Sequence, residues 1–292
     1  IILLGQVVCL YLKNKGSAVR FCLWPQMKKF IIKYIIGEKK YWKLKNRFNE
    51  FSKFQSLFFS KNVSLEKSEL KDFIIKNQNY SGDLLNLFLE DSIYKISKWH
   101  HYLPLYEEYL HRYKNQRIKI LEIGVEDGGG MNMLKKYFGE SAKLYGIDIK
   151  PLPIELNPNI GKVFIGSQND SDFLNSVIAE IGKLDIIIDD GSHIITDIKL
   201  SLNILLKHLN DGGIYIIEDL HTNYFKFANK DKFKNNDFFQ FIKEVIDDIH
   251  SEFHNQPLKH PNVSKFVTEV IIANSFVVIK KGKKTNLAWS QF

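Results

Sequence analysis

Two acidic clusters, each ending a strand-like apolar run, constrain this chain more than any other feature. Asp189-Asp190-Gly191-Ser192-His193 follows Leu184 to Ile188, and Glu218-Asp219-Leu220-His221 follows Ile214 to Ile217. Both clusters therefore project from the same carboxyl edge of a sheet, the edge at which open α/β sheets bind ligands. Carboxylates that converge there with two imidazoles repel one another unless a cation or shared protons neutralise them. The pattern predicts a metal-assisted site.

The surrounding chain alternates regularly. Strand-like runs at 117–124, 143–149, 162–166, 184–190 and 213–219 are separated by helical patterns near 131–138, 170–181 and 196–209, with a further helix starting near Pro104. Two last runs, 266–272 and 275–279, are close enough to form an antiparallel hairpin. This reads as an α/β, doubly wound, mostly parallel and Rossmann-like sheet of seven strands, closed by that hairpin. Residues 221–262 form a long polar insertion. It contains an amphipathic helix, 238–253, with Phe241, Ile242, Val245, Ile246 and Ile249 at helical spacing, and is predicted to act as a substrate lid.

At 292 residues and 45% hydrophobic, the chain is long enough for one large core with a smaller appendage. The formal net charge of +8 suggests a nucleic-acid partner until it is located. Residues 1–60 hold twelve Lys or Arg against Glu38 and Glu50, whereas the remainder holds 29 basic and 31 acidic residues. A phosphate-tracking surface needs its cations on the face that holds substrate, so no nucleic-acid partner is expected for the body. The basic stretch 27–60 reads as an ordinary helix against the body or a dimer partner, with a peripheral membrane or partner-protein contact as the second reading. A homo-oligomer is left open.

Both cysteines, Cys9 and Cys22, lie in the first stretch, which excludes a disulfide framework or cysteine-based zinc site in the body and fits a cytoplasmic setting. Ile1 to Leu12 is apolar but falls short of the roughly 20 residues that span a bilayer, and it lacks the marks of a secretory signal. Met27-Lys28-Lys29 resembles a translation start, so residues 1–26 are read as an upstream extension or gene-model artefact. Residues 27–97 are read as a basic helical region and 98–292 as the main domain.

The run 121–130, LEIGVEDGGG, follows a strand and opens a helix. Glycines there let the backbone turn tightly and approach a ligand. The Gly124 to Gly128 spacing departs from the dinucleotide signature, and Glu126 and Asp127 disfavour a pyrophosphate. A cationic cofactor fits better. Asp148, ending the next strand, is placed to take two ribose hydroxyls, and together these residues point to S-adenosylmethionine. Gln168, in the loop after the third strand, is predicted to read the adenine through its amide. Glu122 and Asp189, at neighbouring strand ends, are counted with Gly124 and Gly128 in the cofactor site.

At these residues the chain resembles a known family. KWHHY (98–102), LEIGVEDGGG, YGIDIK, IGSQND, DIIIDDGSH and GGIYIIEDLHTNYF occur in the order seen in metal-dependent sugar O-methyltransferases of macrolide pathways, the mycinamicin and macrocin type. The resemblance covers about residues 98–225 and implies a class I methyltransferase fold. It also implies that Asp190, Glu218 and Asp219 hold Mg²⁺, that His193 is the general base, and that Tyr102 lies near the methionine end of the cofactor. Hard carboxylate oxygens suit Mg²⁺, a vicinal diol could fill open positions on the ion, and an imidazole titrating near ~6.5 can accept the hydroxyl proton. The expected acceptor is a sugar or glycan, with His221 and Tyr224 as substrate contacts.

Other readings stand beside these. Asp189, Asp190 or Ser192 can cap the following helix, and His250 and His254 are expected on a solvated face. Cephalosporin hydroxylase-like proteins are also similar, and would require iron bound by His193, His221 and Asp190. A non-catalytic module using the basic N-terminus is the remaining alternative.

Overall fold

The computed structural model describes the backbone of residues 2–4, 7–14 and 17–23, and residues 66–224, 237–254, 256–283 and 288–291 in full. By contacts the chain divides into two units, residues 1–66 and 67–292. In the first, β1 (Ile2–Leu4), β2 (Val7–Asn14) and β3 (Ser17–Leu23) form an antiparallel sheet in which Cys9 and Cys22 are register partners. The basic stretch 27–60, with its membrane or partner reading, lies outside the described residues. Among the described residues no helix is long and apolar enough to cross a membrane.

The second unit begins earlier than the expected boundary at residue 98. Helices α1 (Lys67–Gln78) and α2 (Asp83–Phe88) bury Ile74, Leu84 and Leu85 in the same core as the sheet. Their apolar faces are too small to form a separate core, so they join the larger one. Then come α3 (Tyr102–Leu110), β4 (Lys119–Ile123), α4 (Gly129–Phe138), β5 (Lys143–Asp148), β6 (Lys162–Ile165) and α5 (Ser171–Ile181). The chain continues through β7 (Leu184–Asp189), α6 (Ile195–Leu205), β8 (Leu209–Ile217), α7 (Phe238–Ile249), α8 (Pro261–Ser264), β9 (Val267–Ala273) and β10 (Phe276–Lys281).

The seven-stranded sheet runs β6-β5-β4-β7-β8-β10-β9, with β4 to β8 parallel and β10 antiparallel to both β8 and β9. This is the doubly wound sheet with a closing hairpin that the alternation predicts. The strand expected from Gly213 begins four residues earlier, because Gly212, at φ +83°, accommodates a register shift between the Leu184 and Ile186 pairings.

Side-chain alternation divides the core into two layers, since successive strand residues point to opposite faces. Ile120, Ile186, Ile188, Ile214, Ile216 and Val278 pack with residues of α1 to α4, whereas Leu121, Ile123, Ile187, Tyr215, Ile217 and Val277 pack with α5, α6 and α7. Burial on both faces explains why these strands are continuous apolar runs. Helix α7 belongs to the second layer, with Phe238, Phe241, Ile242 and Val245 buried. This part of the expected lid is therefore core structure, while 225–236 lies outside the described residues.

Candidate active site at the carboxyl edge of the sheet

The glycine turn after β4 is fixed by backbone approach. Gly124 sits at φ +87°, and a Cβ there would fall 2.1 Å from the carbonyl oxygen of Asp190. Only glycine satisfies both conditions. The turn is tied to β5 by Asp148, whose Oδ2 accepts from the amides of Val125 (3.0 Å) and Glu126 (2.9 Å) and whose Oδ1 accepts from Lys150 N (2.9 Å). Gly128, at φ +83°, then leads into α4.

Between this turn and the acidic clusters lies a cleft of about 630 Å³. Gly124, Glu126, Asp127, Asp148, Ile149, Gly166, Ser167, Gln168, Asp190, His193 and Asp219 are among the residues that line it. Its volume is in the range of small-molecule and cofactor sites. The two motifs thus share one cavity.

Asp190 and Asp219 approach each other around His193. Nε2 of His193 lies 4.0 Å from Asp190 Oδ1 and 3.8 Å from Asp219 Oδ2, and one ligand atom from each of the three residues falls within 4.8 Å of the others. His193 and Asp219 both adopt left-handed backbone conformations, at φ 54° and 55°. Such conformations are costly for residues other than glycine and collect at functional sites. None of the expected capping roles holds, since α6 has Ile194 at its N-cap and no side-chain cap.

Lys98, for which the sequence carries no local signal of a role, supplies the cation between the clusters. Lys98 Nζ lies 2.5 Å from Asp190 Oδ2 and 2.7 Å from Glu218 Oε1, with its side chain only 5% exposed. Burial opposes its charge, but Asp190 and Glu218 hold its pKa well above the ordinary lysine value. Burial and the neighbouring Asp190 push the Glu218 carboxyl up to about 8, against the pull of Lys98. Tyr106, buried behind it, also donates to Glu218 Oε1. Trp99 Nε1 (3.0 Å) and Tyr102 Oη (2.9 Å) both donate to Asp219 Oδ1.

The expected residues therefore separate into groups. Asp190, His193 and Asp219 meet at the cleft, while Glu218 is buried behind them on Lys98 and Tyr106. Tyr102 stands behind Asp219, its single hydroxyl proton within reach of Asp219 Oδ1 and Ser275 O and its oxygen accepting from Asp219 N, a place in the support of the acidic cluster that differs from the expected cofactor contact. Asp189 faces the opposite layer, where it accepts hydrogen bonds from Gln168, Ser201 and Tyr215. Burial raises its carboxyl pKa to about 6.

Gln168 lines the cleft, yet its amide is committed to the protein: Nε2 donates to Asp189 and Ser201, and Oε1 accepts from Ser192 N. These bonds use both amide protons and one lone pair of Oε1, so the expected adenine contact would fall to the remaining lone pair of that oxygen. His221 Nδ1 lies 2.6 Å from Ser275 Oγ and 4.0 Å from Asp219 Oδ1, and burial lowers its pKa. Tyr224 is 63% exposed and stacks on Phe239, outside the cleft lining. His250 is exposed at the end of α7, whereas His254 is half-buried and lies beyond the helix in extended backbone, so the two do not share the expected helix face.

Glu122 lies between the two halves of the site. It is 3% exposed, and its Oε2 is buried without a hydrogen-bond partner. A Cβ on Gly130 would fall 2.4 Å from Glu122 Oε1, which places the carboxylate directly against the first turn of α4. Burial pushes its pKa up to about 7, moderated by Lys98 and raised further by Asp190.

No protein-family model matches the chain. Individual proteins do. The chain is 30% identical over 218 residues to 8-demethyl-8-(2-methoxy-alpha-L-rhamnosyl)-tetracenomycin-C 3'-O-methyltransferase of Streptomyces olivaceus, covering 70% of this chain and 55% of that protein. It is 37% identical over 142 residues to demethylmacrocin O-methyltransferase of Streptomyces fradiae, covering 46% and 36%. To mycinamicin VI 2''-O-methyltransferase of Micromonospora griseorubida it is 31% identical over 200 residues, covering 65% and 50%. The chain thus spans about half or less of the length of these relatives. Among solved structures, the MycE methyltransferase of the mycinamycin pathway, in complex with Mg, SAH and mycinamycin VI, superposes with a TM-score of 0.60 at 23% identity, covering 93% of this chain and 67% of that one. The chain therefore has a class I methyltransferase fold and is homologous to sugar O-methyltransferases of the mycinamicin, macrocin and tetracenomycin type.

Proposed function

We propose that this chain transfers a methyl group from S-adenosylmethionine to a sugar hydroxyl with the help of Mg²⁺. The observation that carries the reading is the shared cleft, in which the glycine turn and Asp148 lie on one side and Asp190, His193 and Asp219 on the other. The sugar O-methyltransferases among its relatives support it, as does the fold shared with a protein solved with Mg and SAH.

The donor set fits a divalent ion. Asp190, Glu218 and Asp219 bring three negative charges when ionised and Lys98 returns one positive charge, leaving a balance that one divalent cation neutralises. All three carboxylates offer hard oxygen ligands, as Mg²⁺ requires. Asp190 Oδ1 and Asp219 Oδ2 would hold the ion, and Glu218, expected as a third ligand but buried behind them on Lys98 and Tyr106, would add its charge from there. Gly124 and Asp148, which line the cleft, would hold the cofactor, backed by Glu122 and Gly128 outside the lining, with the 69% exposed Ile149 as an apolar surface in the cleft. When bound, the cofactor supplies an electrophilic sulfonium methyl and the metal supplies Lewis acidity toward the acceptor hydroxyl.

The chain's own residues do the rest. His193 accepts the hydroxyl proton at Nε2, and the left-handed backbone at 193 keeps that atom between the two aspartates. His221, held by Ser275 against Asp219, contributes to the acceptor side. The hydroxylase alternative needs two histidines and a carboxylate at one point. The described cluster brings one histidine to that point, because His221 is committed to Ser275.

The test is incubation with S-adenosylmethionine, Mg²⁺ and a panel of glycosylated acceptors, followed by mass detection of a methyl gain. Loss of the gain in chelator, with recovery on adding Mg²⁺, is the expected result. A gain unaffected by chelator would remove the metal, and stoichiometric iron with oxygen-dependent product would replace transfer by oxidation.

A further inference from the structure

We propose that Lys98 is a built-in counter-cation that sets the charge of the carboxylate site and thereby its preference for divalent over trivalent ions. The inference rests on the metal-binding reading above and assigns a positioning role to a residue outside that ligand set. A lysine with 5% side-chain exposure loses its hydration, and such a group persists only when paired. Here it is paired twice, with Asp190 Oδ2 and Glu218 Oε1, and its ammonium lies 5.7 Å from the centre of the Tyr106 ring.

The segment carrying Lys98 acts on each carboxylate in the same way. Lys98 takes one oxygen of Asp190 and one of Glu218, Tyr106 takes that same Glu218 oxygen, and Trp99 with Tyr102 takes Oδ1 of Asp219. The oxygens left toward His193 are Asp190 Oδ1 and Asp219 Oδ2. A neutral donor in place of Lys98 would satisfy the same oxygens. What it would not supply is the positive charge, so at equal protonation the site would carry one more unit of negative charge than it does with lysine.

Charge and pinning make different predictions. Loss of pinning alone weakens every ion alike, whereas loss of one positive charge a few ångström away favours a trivalent over a divalent ion. At an effective dielectric near 20, that preference is on the order of tenfold or more.

The experiment measures Mg²⁺ binding by calorimetry and Tb³⁺ binding by sensitised luminescence in wild type, Lys98→Gln and Lys98→Arg. Lys98→Gln should raise the ratio of Tb³⁺ to Mg²⁺ affinity by about tenfold or more, while Lys98→Arg leaves it close to wild type. An unchanged ratio in Lys98→Gln overturns the proposal even if both affinities fall. If Lys98→Gln does not fold in chelator, refolding is titrated with each ion: rescue by Tb³⁺ at lower concentration than the wild-type ratio predicts supports the proposal, and rescue in the wild-type ratio, or none, overturns it. Wild type that binds neither ion would instead sink the underlying metal reading.

Discussion

Position 193 lets the proposed base be tested apart from the backbone that carries it. His193→Ala and His193→Gly both remove the imidazole, so both should lower turnover by about 10²–10⁴-fold, the range for a positioned general base. Their stabilities should differ. At φ 54° a residue with a Cβ pays roughly 1–2 kcal/mol for the left-handed conformation. Glycine avoids this but loses about 0.4–1 kcal/mol relative to alanine through the greater freedom of its unfolded chain. The balance puts His193→Gly above His193→Ala by about 0.5–1 kcal/mol, or a melting temperature about 1–4 °C higher for a domain of this size. Thermal unfolding of the two variants beside initial-rate methylation assays reads both quantities. If His193→Gly melts below His193→Ala, the backbone strain argument is wrong. If either variant keeps full turnover while His221→Ala is inactive, the base is His221.

Asp148→Ala should weaken S-adenosylmethionine binding by roughly 1.5–3 kcal/mol by calorimetry, the range for hydrogen bonds to a charged group, and unchanged affinity would remove it from the ribose role. Because Asp148 also accepts from three backbone amides, the variant should additionally accelerate hydrogen exchange at Val125 and Glu126. Gly124→Ala must fit a Cβ 2.1 Å from Asp190 O at φ +87°, and should cost more than about 2 kcal/mol in denaturant unfolding; a neutral result would contradict the tight turn. Glu122, held near pKa 7 in the fold against about 4.3 when unfolded, contributes stability that is full below about pH 4 and is lost as pH rises through 7. Glu122→Gln should therefore flatten the stability profile across that window and raise stability near pH 8 by roughly 1–3 kcal/mol, while weakening cofactor binding. A profile as steep as wild type would assign the titration elsewhere.

Much of the arrangement was legible in sequence because it follows from chain-local periodicity. Runs such as Leu184 to Ile188 and Ile214 to Ile217 announce strands buried on both faces, and the acidic residues after them must emerge at one edge. The same period also separates neighbouring acidic residues. Asp189 falls in step with Ile187 and so faces α6, while Asp190 falls in step with Ile188, and Glu218 with Ile216, toward α3. Two adjacent aspartates thus have unrelated jobs. The converging carboxylates were expected to require a metal ion or shared protons, whereas the lysine ammonium between Asp190 and Glu218 comes from a distant part of the chain.

Sequence by itself determined the strand and helix order, the glycine turn that no other residue can occupy, and the convergence of the acidic clusters with His193, because each depends on local backbone preference and alternation. Tertiary structure alone decided which oxygen of each carboxylate faces the cleft. Lys98, Trp99, Tyr102 and Tyr106 lie more than eighty residues from the carboxylates they hold, and only the packing of α3 against the ends of β7 and β8 brings them into contact. The amide of Gln168 and the ring of His221 were decided in the same way. Hydrogen-bond partners supplied by Asp189, Ser201 and Ser275 across the fold, and not the residue type, fix what those side chains remain able to bind.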